Sequence, residues 1–318
     1  MRKRILGKTG IEVSEIAFGG VEIGMPYGIG VESQKDMLSE KQAIDLVHAS
    51  MDAGINFFDT ARMYGNSENL MGKAFKGRRG SVVISTKCTH LRDAGGRLPE
   101  ERALEKIIET SLSKSLEALQ TDYVDVYMLH TADMEVLENE EIMRIFNTIK
   151  KSGKARAIGV STYLPEETKK ALEIGTWDVI QLPFNLMDQR QKAFFPQAVK
   201  VGVGIIIRSV LLKGLLSNRG ENLHPALKEV ESHIASYKKL LNENNPDLAT
   251  LATRFALSFN EVAAILVGID KIEYLNKSLQ AANGNYWDKA DLVKAGGLSY
   301  PDAAFLNLPH WDRMGWLK

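Results

Sequence analysis

Asp59, Tyr64, Lys87 and His130 are the side chains whose types and placement could do chemistry together. Each closes or follows a short apolar run: INFFDTARMYG carries the aspartate and the tyrosine, VVISTKC the lysine and VDVYMLH the histidine. Taken singly, each has an ordinary explanation, since an aspartate caps turns, a lysine is solvated, a tyrosine packs and a histidine completes a structural bond. Together at matching strand ends they suggest proton transfer. A free phenol ionises near pH about 10, and an adjacent ammonium favours the phenolate, so Lys87 is expected to bring Tyr64 toward neutrality as an acid or base. Asp59 would hold and neutralise Lys87, and His130 would orient a substrate oxygen. No second carboxylate stands at a fixed partner position, which weakens a glycosidase reading, and the set lacks the usual ligands of a metal site. Such a group of residues protonates a carbonyl oxygen while hydride comes from elsewhere. No side chain donates hydride, so a nicotinamide is implied.

The elements that must position these residues alternate. Short apolar or β-branched runs recur at residues 15–18, 56–58, 82–85, 124–129, 157–160, 179–182, 204–207 and 264–267, most of them separated by segments of helical spacing such as Ala103, Ile107, Ser111, Leu112, Ser115 and Leu119. Runs apolar on both faces, VDVYML and GIII among them, suit a parallel sheet covered by helices. Eight such units predict a closed (β/α)8 TIM barrel, whose chemistry sits at the C-terminal ends of the strands. An open doubly wound sheet would carry a glycine-rich phosphate turn after its first strand, and no G-x-G-x-x-G occurs here. Gly7-Lys8-Thr9 lacks the earlier glycine of a P-loop, because Arg2 stands there, and reads as a hairpin turn. The segment 3–13 is expected to be an N-terminal hairpin, 209–246 a long loop after the seventh strand, and 285–318 an aromatic-rich C-terminal tail. The acidic run 138–141 reads as opening a helix. No linker or repeat divides the chain, so residues 1–318 are expected to form one domain.

Composition narrows the classes further. The 318 residues carry 40 Lys+Arg and 40 Asp+Glu, which leaves no net charge to concentrate nucleic acid or anionic lipid. No apolar run approaches the roughly 18 residues of a membrane span, and MRKRILGKTG lacks the apolar stretch of a secretory signal. Cys88 is the only cysteine, so no intrachain disulfide forms. A cytoplasmic protein acting on a small molecule, without nucleic acid or membrane partners, is the expectation.

The residues also resemble a known family, the aldo-keto reductases. The resemblance runs through RILGKTGIEVSEIAFGG, DAGINFFDTARMYGNSE, LQTDYVDVYMLH, GKARAIGVST, QLPFN and LKGLLS, and D-T-A-x-x-Y-G followed by strands ending in T-K and L-H is its most specific part. It implies that Asp59, Tyr64, Lys87 and His130 match the catalytic tetrad, with Tyr64 as proton donor. It implies NAD(P)(H), bound extended across the barrel mouth without a dinucleotide fold, and a small carbonyl or alcohol substrate. By the same resemblance Gly19, Gly20 and Val21 line the nicotinamide side, Ser161 and Gln181 bind its carboxamide, and Ser209, Leu211 and Gly214 follow the pyrophosphate.

Departures from the family pattern carry their own expectations. Thr162 stands where members usually have asparagine and offers one hydroxyl in place of an amide. Arg208 stands where many members stack an aromatic on the nicotinamide. At the adenine end Asp270 follows Gly268 at the position of an arginine common in NADP-selective members, and a carboxylate accepts from a ribose hydroxyl but repels a 2′-phosphate. Lys271 and Lys277 are nearby cations that keep NADP open. Two other readings share the barrel: a nucleotide-binding regulatory protein such as family members beside ion channels, and a metal-dependent isomerase with Asp59 and His130 as ligands. The tail residues Trp287, Tyr300, Phe305, His310, Trp311 and Trp316 suit either packing beneath the barrel or a lid over the substrate.

Overall fold

The structure is a computed structural model and describes residues 1–31 and 33–317. Ten strands are present among them, in chain order β1 (Lys3–Ile5), β2 (Glu12–Ser14), β3 (Ile16–Gly19), β4 (Phe57–Asp59), β5 (Val83–Lys87), β6 (Val124–Leu129), β7 (Ala155–Ser161), β8 (Val179–Pro183), β9 (Gly204–Arg208) and β10 (Val262–Gly268). Strands β3 to β10 pair in parallel and close, β10 against β3, into a (β/α)8 barrel. All eight apolar runs of the sequence are barrel strands, with ends that differ by at most two residues. Their composition explains this. Both faces of each strand are covered: Val126, Met128 and Ile206 point into the barrel, whereas Tyr127, Leu129, Ile205 and Ile207 meet the helices outside.

Strands β1 and β2 form the antiparallel hairpin that the alternation predicts, with Lys3 opposite Ser14. Leu6, Ile11 and Val13 join the interior cluster of the barrel, so the hairpin stoppers its N-terminal end. Gly7 makes the turn at φ +55°, and a Cβ there would lie 2.4 Å from the backbone nitrogen of Gly204, a contact only glycine avoids. Arg4 holds the plug to the last strand, donating to the carbonyls of Phe259, Val262 and Leu257 at 2.8, 2.7 and 2.9 Å. Its guanidinium also meets Glu15, whose other oxygen accepts from the Tyr286 hydroxyl at 2.6 Å.

The acidic run divides in a way the sequence reading did not anticipate. Glu138 ends the helix Met134–Glu138, Asn139 caps the next helix, and only Glu140 and Glu141 occupy the first turn of Glu140–Lys151. Asn139 is the reason, because its side chain accepts from the Ile142 amide and breaks the helix in two. The long connection after β9 holds a helix, Lys228–Tyr237, between irregular turns. The tail splits between its two expected roles: Trp287 packs on Phe255 beneath the barrel, while Leu308–Arg313 climbs to the opposite face and buries Trp311. Among the described residues no helix is long and apolar enough to cross a membrane.

Candidate active site

The register of the parallel sheet brings the four chemical residues to one rim. Gly19 of β3 lies opposite Asp59 of β4, Asp59 opposite Ser85 of β5, and Lys87 opposite Met128 of β6, so Gly19 and Asp59 share a layer and Lys87 ends its strand two residues beyond it. His130 follows directly on β6 and Tyr64 reaches back from the turn after β4. Lys87 is fully buried and its Nζ donates to Asp59 Oδ2 at 2.5 Å, to the Thr60 carbonyl at 3.1 Å and to the Tyr64 hydroxyl at 3.5 Å. The Tyr64 ring meets the His130 ring edge to face at 5.3 Å. Buried charges must be paired, and here the pairing itself assembles a chain from carboxylate to ammonium to phenol.

Burial decides the protonation states. It pulls Lys87 below the ordinary ammonium value against the opposing pull of Asp59. It also pushes Tyr64 well above the ordinary phenol value, with the Asp59 carboxylate adding to the rise. This corrects the expectation that Lys87 lowers Tyr64: at 2.5 Å the ammonium is largely neutralised by Asp59, and desolvation of a phenolate outweighs what is left. Tyr64 therefore holds its proton at neutral pH. His130 is driven down to about 2 by burial, Lys87, His90 and Arg208, in that order, so its ring is neutral. Its Nδ1 is sealed from solvent and has no hydrogen-bond partner among the described residues.

A cavity of about 530 Å³ opens from this cluster and runs across the barrel mouth. Gly19, Gly20 and Val21 line it after β3, and Ser161, Gln181 and Arg208 line it at the ends of β7, β8 and β9. Ser209, Leu211 and Gly214 form its wall beyond β9, and Gly268, Asp270 and Lys277 its far end. Ser209, Leu212 and Lys213 hold left-handed backbone at φ 61°, 47° and 56°, a conformation costing about 1–3 kcal/mol each that concentrates at binding sites. Gln181 faces the cavity, but its Nε2 donates to Asp59 Oδ1 at 2.9 Å. Arg208 lies 4.1 Å over the Tyr163 ring and donates to the Thr162 carbonyl at 2.9 Å.

Two of the sequence's cofactor candidates lie off this wall. The Thr162 hydroxyl is buried against Thr168 at 2.7 Å, turned from the cavity because threonine is too short to reach back across the strand end. Lys271 is exposed ahead of the helix Ile272–Ala281. Lys277 is on the wall, where its Nζ pairs with Asp247 at 3.0 Å. Residues the sequence did not single out complete the wall: Glu22, Tyr27, Arg219, Asp247, Tyr274 and Asp312. Asp312 meets Lys213, so the tail helix closes one side of the cavity. Among the described residues no three His, Cys, Asp or Glu side chains are grouped to hold a metal ion.

An elongated cavity with catalytic groups at one end, sealed polar atoms along it and charged groups at the other fits a dinucleotide. Comparison with known proteins agrees. The model of the "Aldo/keto reductase family" matches residues 15–291. The chain belongs to the aldo-keto reductase family. It is accordingly an oxidoreductase of carbonyl compounds that works with NAD(P)(H). The holo form of the aldo-keto reductase AKR11C1 from Bacillus halodurans superimposes with a TM-score of 0.77 at 26% identity, covering 94% of this chain and 96% of the other. Among curated relatives, L-galactose dehydrogenase of Arabidopsis thaliana is 29% identical over 87% of each chain. The NADH-specific methylglyoxal reductase of Escherichia coli is 27% identical over 91% of this chain and 95% of its own. This aldo-keto reductase has no Rossmann glycine motif, and the wall of its cavity is built from strand ends and the loop after β9.

Proposed function

We propose that this chain interconverts an aldehyde, ketone or sugar-like polyol with its oxidised or reduced partner, using NAD(H) in preference to NADP(H) and Tyr64 as general acid and base. The carrying observation is the contact chain Asp59, Lys87, Tyr64, with neutral His130 against the tyrosine ring, at the head of the cavity. When bound, the nicotinamide supplies or accepts the hydride. Gly19, Gly20, Val21 and Ser161 would hold its end of the dinucleotide, and Arg208 would flank it. Tyr64 keeps its proton in the resting site and presents it at the hydroxyl to a carbonyl oxygen, while Lys87, held in place by Asp59, stabilises the phenolate left behind. A neutral His130 accepts or donates one hydrogen bond without competing for that proton, and so fixes the substrate oxygen.

Support for NAD(H) comes from the far end. Asp270 is half-buried on the wall, and Lys277 is already paired with Asp247. A 2′-phosphate there meets a carboxylate before it meets a free ammonium. Two relatives lend the substrate class: one is named for a sugar and the other for methylglyoxal with NADH. The test is a fluorescence titration with NADH and NADPH, followed by turnover of a panel of aldehydes, ketones and sugars. Tighter NADH binding with reduction of at least one panel member, lost in Tyr64→Phe, is expected. Preference for NADPH or full activity in that variant overturns the reading.

A further inference from the structure

Glu22 is an acidic residue of the cavity wall that makes no ion pair among the described residues and stands outside the proposed proton chain, and unlike Asp270, which also makes none, it has a sealed carboxyl oxygen without a partner. It lies in the short helix Val21–Gly24 that follows β3, beside the C-terminal end of β10. The fit to β10 is close: a Cβ on Gly268 would lie 2.1 Å from Glu22 Oε1, so the glycine at that strand end leaves the carboxyl group its present place. Oε2 is sealed from bulk water and has no hydrogen-bond partner among the described residues, though the residue lines the cavity. A buried carboxyl oxygen without a partner is costly unless a ligand completes it.

Position along the cavity says which part of the ligand that is. Glu22 lies between the catalytic cluster, whose Asp59 is near enough to act on it, and Asp270 at the far end. With nicotinamide at the first and adenine ribose at the second, the stretch between carries the ribose and the pyrophosphate, the anionic part of the dinucleotide. We propose that Glu22 is a cofactor-binding residue of this chain, meeting the ribose–pyrophosphate stretch as a neutral carboxylic acid, so that binding depends on its proton. In that form it donates a hydrogen bond to an anionic or hydroxyl oxygen; ionised, it sets a buried negative charge beside a negative ligand.

The groups around it fit a neutral acid. Its own backbone amide and Arg219 favour the carboxylate, but burial outweighs both, and Asp270 and Asp59 add repulsion. The result is a carboxyl pushed up to about 8. Tyr27 and Tyr64 also face it and stay protonated over the same range. Arg219 donates to the Ile29 carbonyl at 3.0 Å and makes no ion pair with Glu22, which leaves its charge for the same anionic stretch.

The inference rests on the cofactor reading, and the experiment separates the two. NADH is titrated into the wild-type chain and Glu22→Gln by fluorescence from pH 7 to 9.5, and by calorimetry at pH 8 in two buffers of different ionisation enthalpy. For a group titrating at about 8 whose neutral form alone binds, the wild-type Kd is expected to weaken by about thirtyfold across that range. Glu22→Gln, permanently neutral and of the same shape, should change less than about twofold relative to its value at pH 7. Calorimetry should show uptake of about half a proton per NADH in the wild type and none in the variant. Parallel pH curves for the two proteins, or no proton uptake by the wild type, overturn the proposal, and the wild-type measurement decides even if the variant fails to fold. Absence of dinucleotide binding at every pH removes the cofactor reading and this inference with it.

Discussion

Replacing Lys87 by methionine keeps the length and apolar stem of the side chain but removes the only ammonium among the described residues that touches Asp59. The Asp59 carboxylate is 2% exposed and would retain one hydrogen bond, from Gln181. The Thr60 carbonyl would lose its lysine donor at 3.1 Å as well. Removing one partner of a buried pair costs about 3–5 kcal/mol, mostly because the other charge is left uncompensated. For 318 residues, unfolding entropy scales such that this lowers the melting midpoint by roughly 4–8 °C. Lys41→Met is the control, since it removes an exposed pair with Asp45 and should move the midpoint by roughly 1 °C or less. The decisive chain is the double variant Lys87→Met/Asp59→Asn, which removes both charges and should regain at least half of the loss. Scanning fluorimetry of the wild type, these three variants and Asp59→Asn alone at pH 7 measures all of this. If Lys87→Met behaves like the surface control, or if the double variant loses the sum of the two single changes, the pair is not the buried unit described above.

Tyr64→Phe removes the hydroxyl 3.5 Å from Lys87 while keeping the ring against His130, so carbonyl reduction should fall by about 10²-fold or more with NADH affinity within a factor of about two; near wild-type kcat would refute the role of the phenol. His130 has a folded value of about 2, below its unfolded one, so the unfolded chain takes up the proton first. The stability His130 contributes is complete above pH about 6.5 and is lost at about 1.4 kcal/mol per pH unit below it. Urea unfolding at pH 7 and 5 should show this loss in the wild type but not in His130→Gln, and equal losses in both would contradict it. Asp270→Arg should raise the kcat/KM ratio of NADP to NAD by about tenfold or more at fixed ionic strength, and an unchanged ratio would show that Asp270 does not read the 2′ position.

The strands were legible because their chemistry is extreme: segments such as VDVYML and GIIIR have no wet face, and eight of them separated by helical spacing leave few architectures. The four residues at the rim were legible for a related reason, since ionisable side chains rarely close apolar strands by accident. Protonation was not. The sequence places an ammonium beside a phenol but does not say how dry the site is, and desolvation reverses the direction inferred for Tyr64. Glu22 and Arg219 were missed because each looks like an ordinary surface residue. Only the meeting of Val21–Gly24 with the end of β10, about 250 residues further on, turns Glu22 into a sealed group. Thr162 shows the opposite error, a residue in the expected place whose short side chain is satisfied by Thr168.

The seam where β10 closes on β3 has a consequence for how the chain is made. β3 gains its neighbour β4 within some 40 residues, but its other neighbour emerges about 250 residues later. At the roughly 5–20 residues per second of ribosomal synthesis, the edge Ile16–Gly19 waits on the order of 12–50 s for its partner. Throughout that interval it is an apolar strand with open amides and carbonyls, ready to pair with any passing chain. Arg4 offers no protection then, because the carbonyls it clamps belong to residues 257–262, not yet synthesised. The barrel is thus most vulnerable in its infancy, and the rate and company in which it is translated govern its yield as much as the stability of the finished fold.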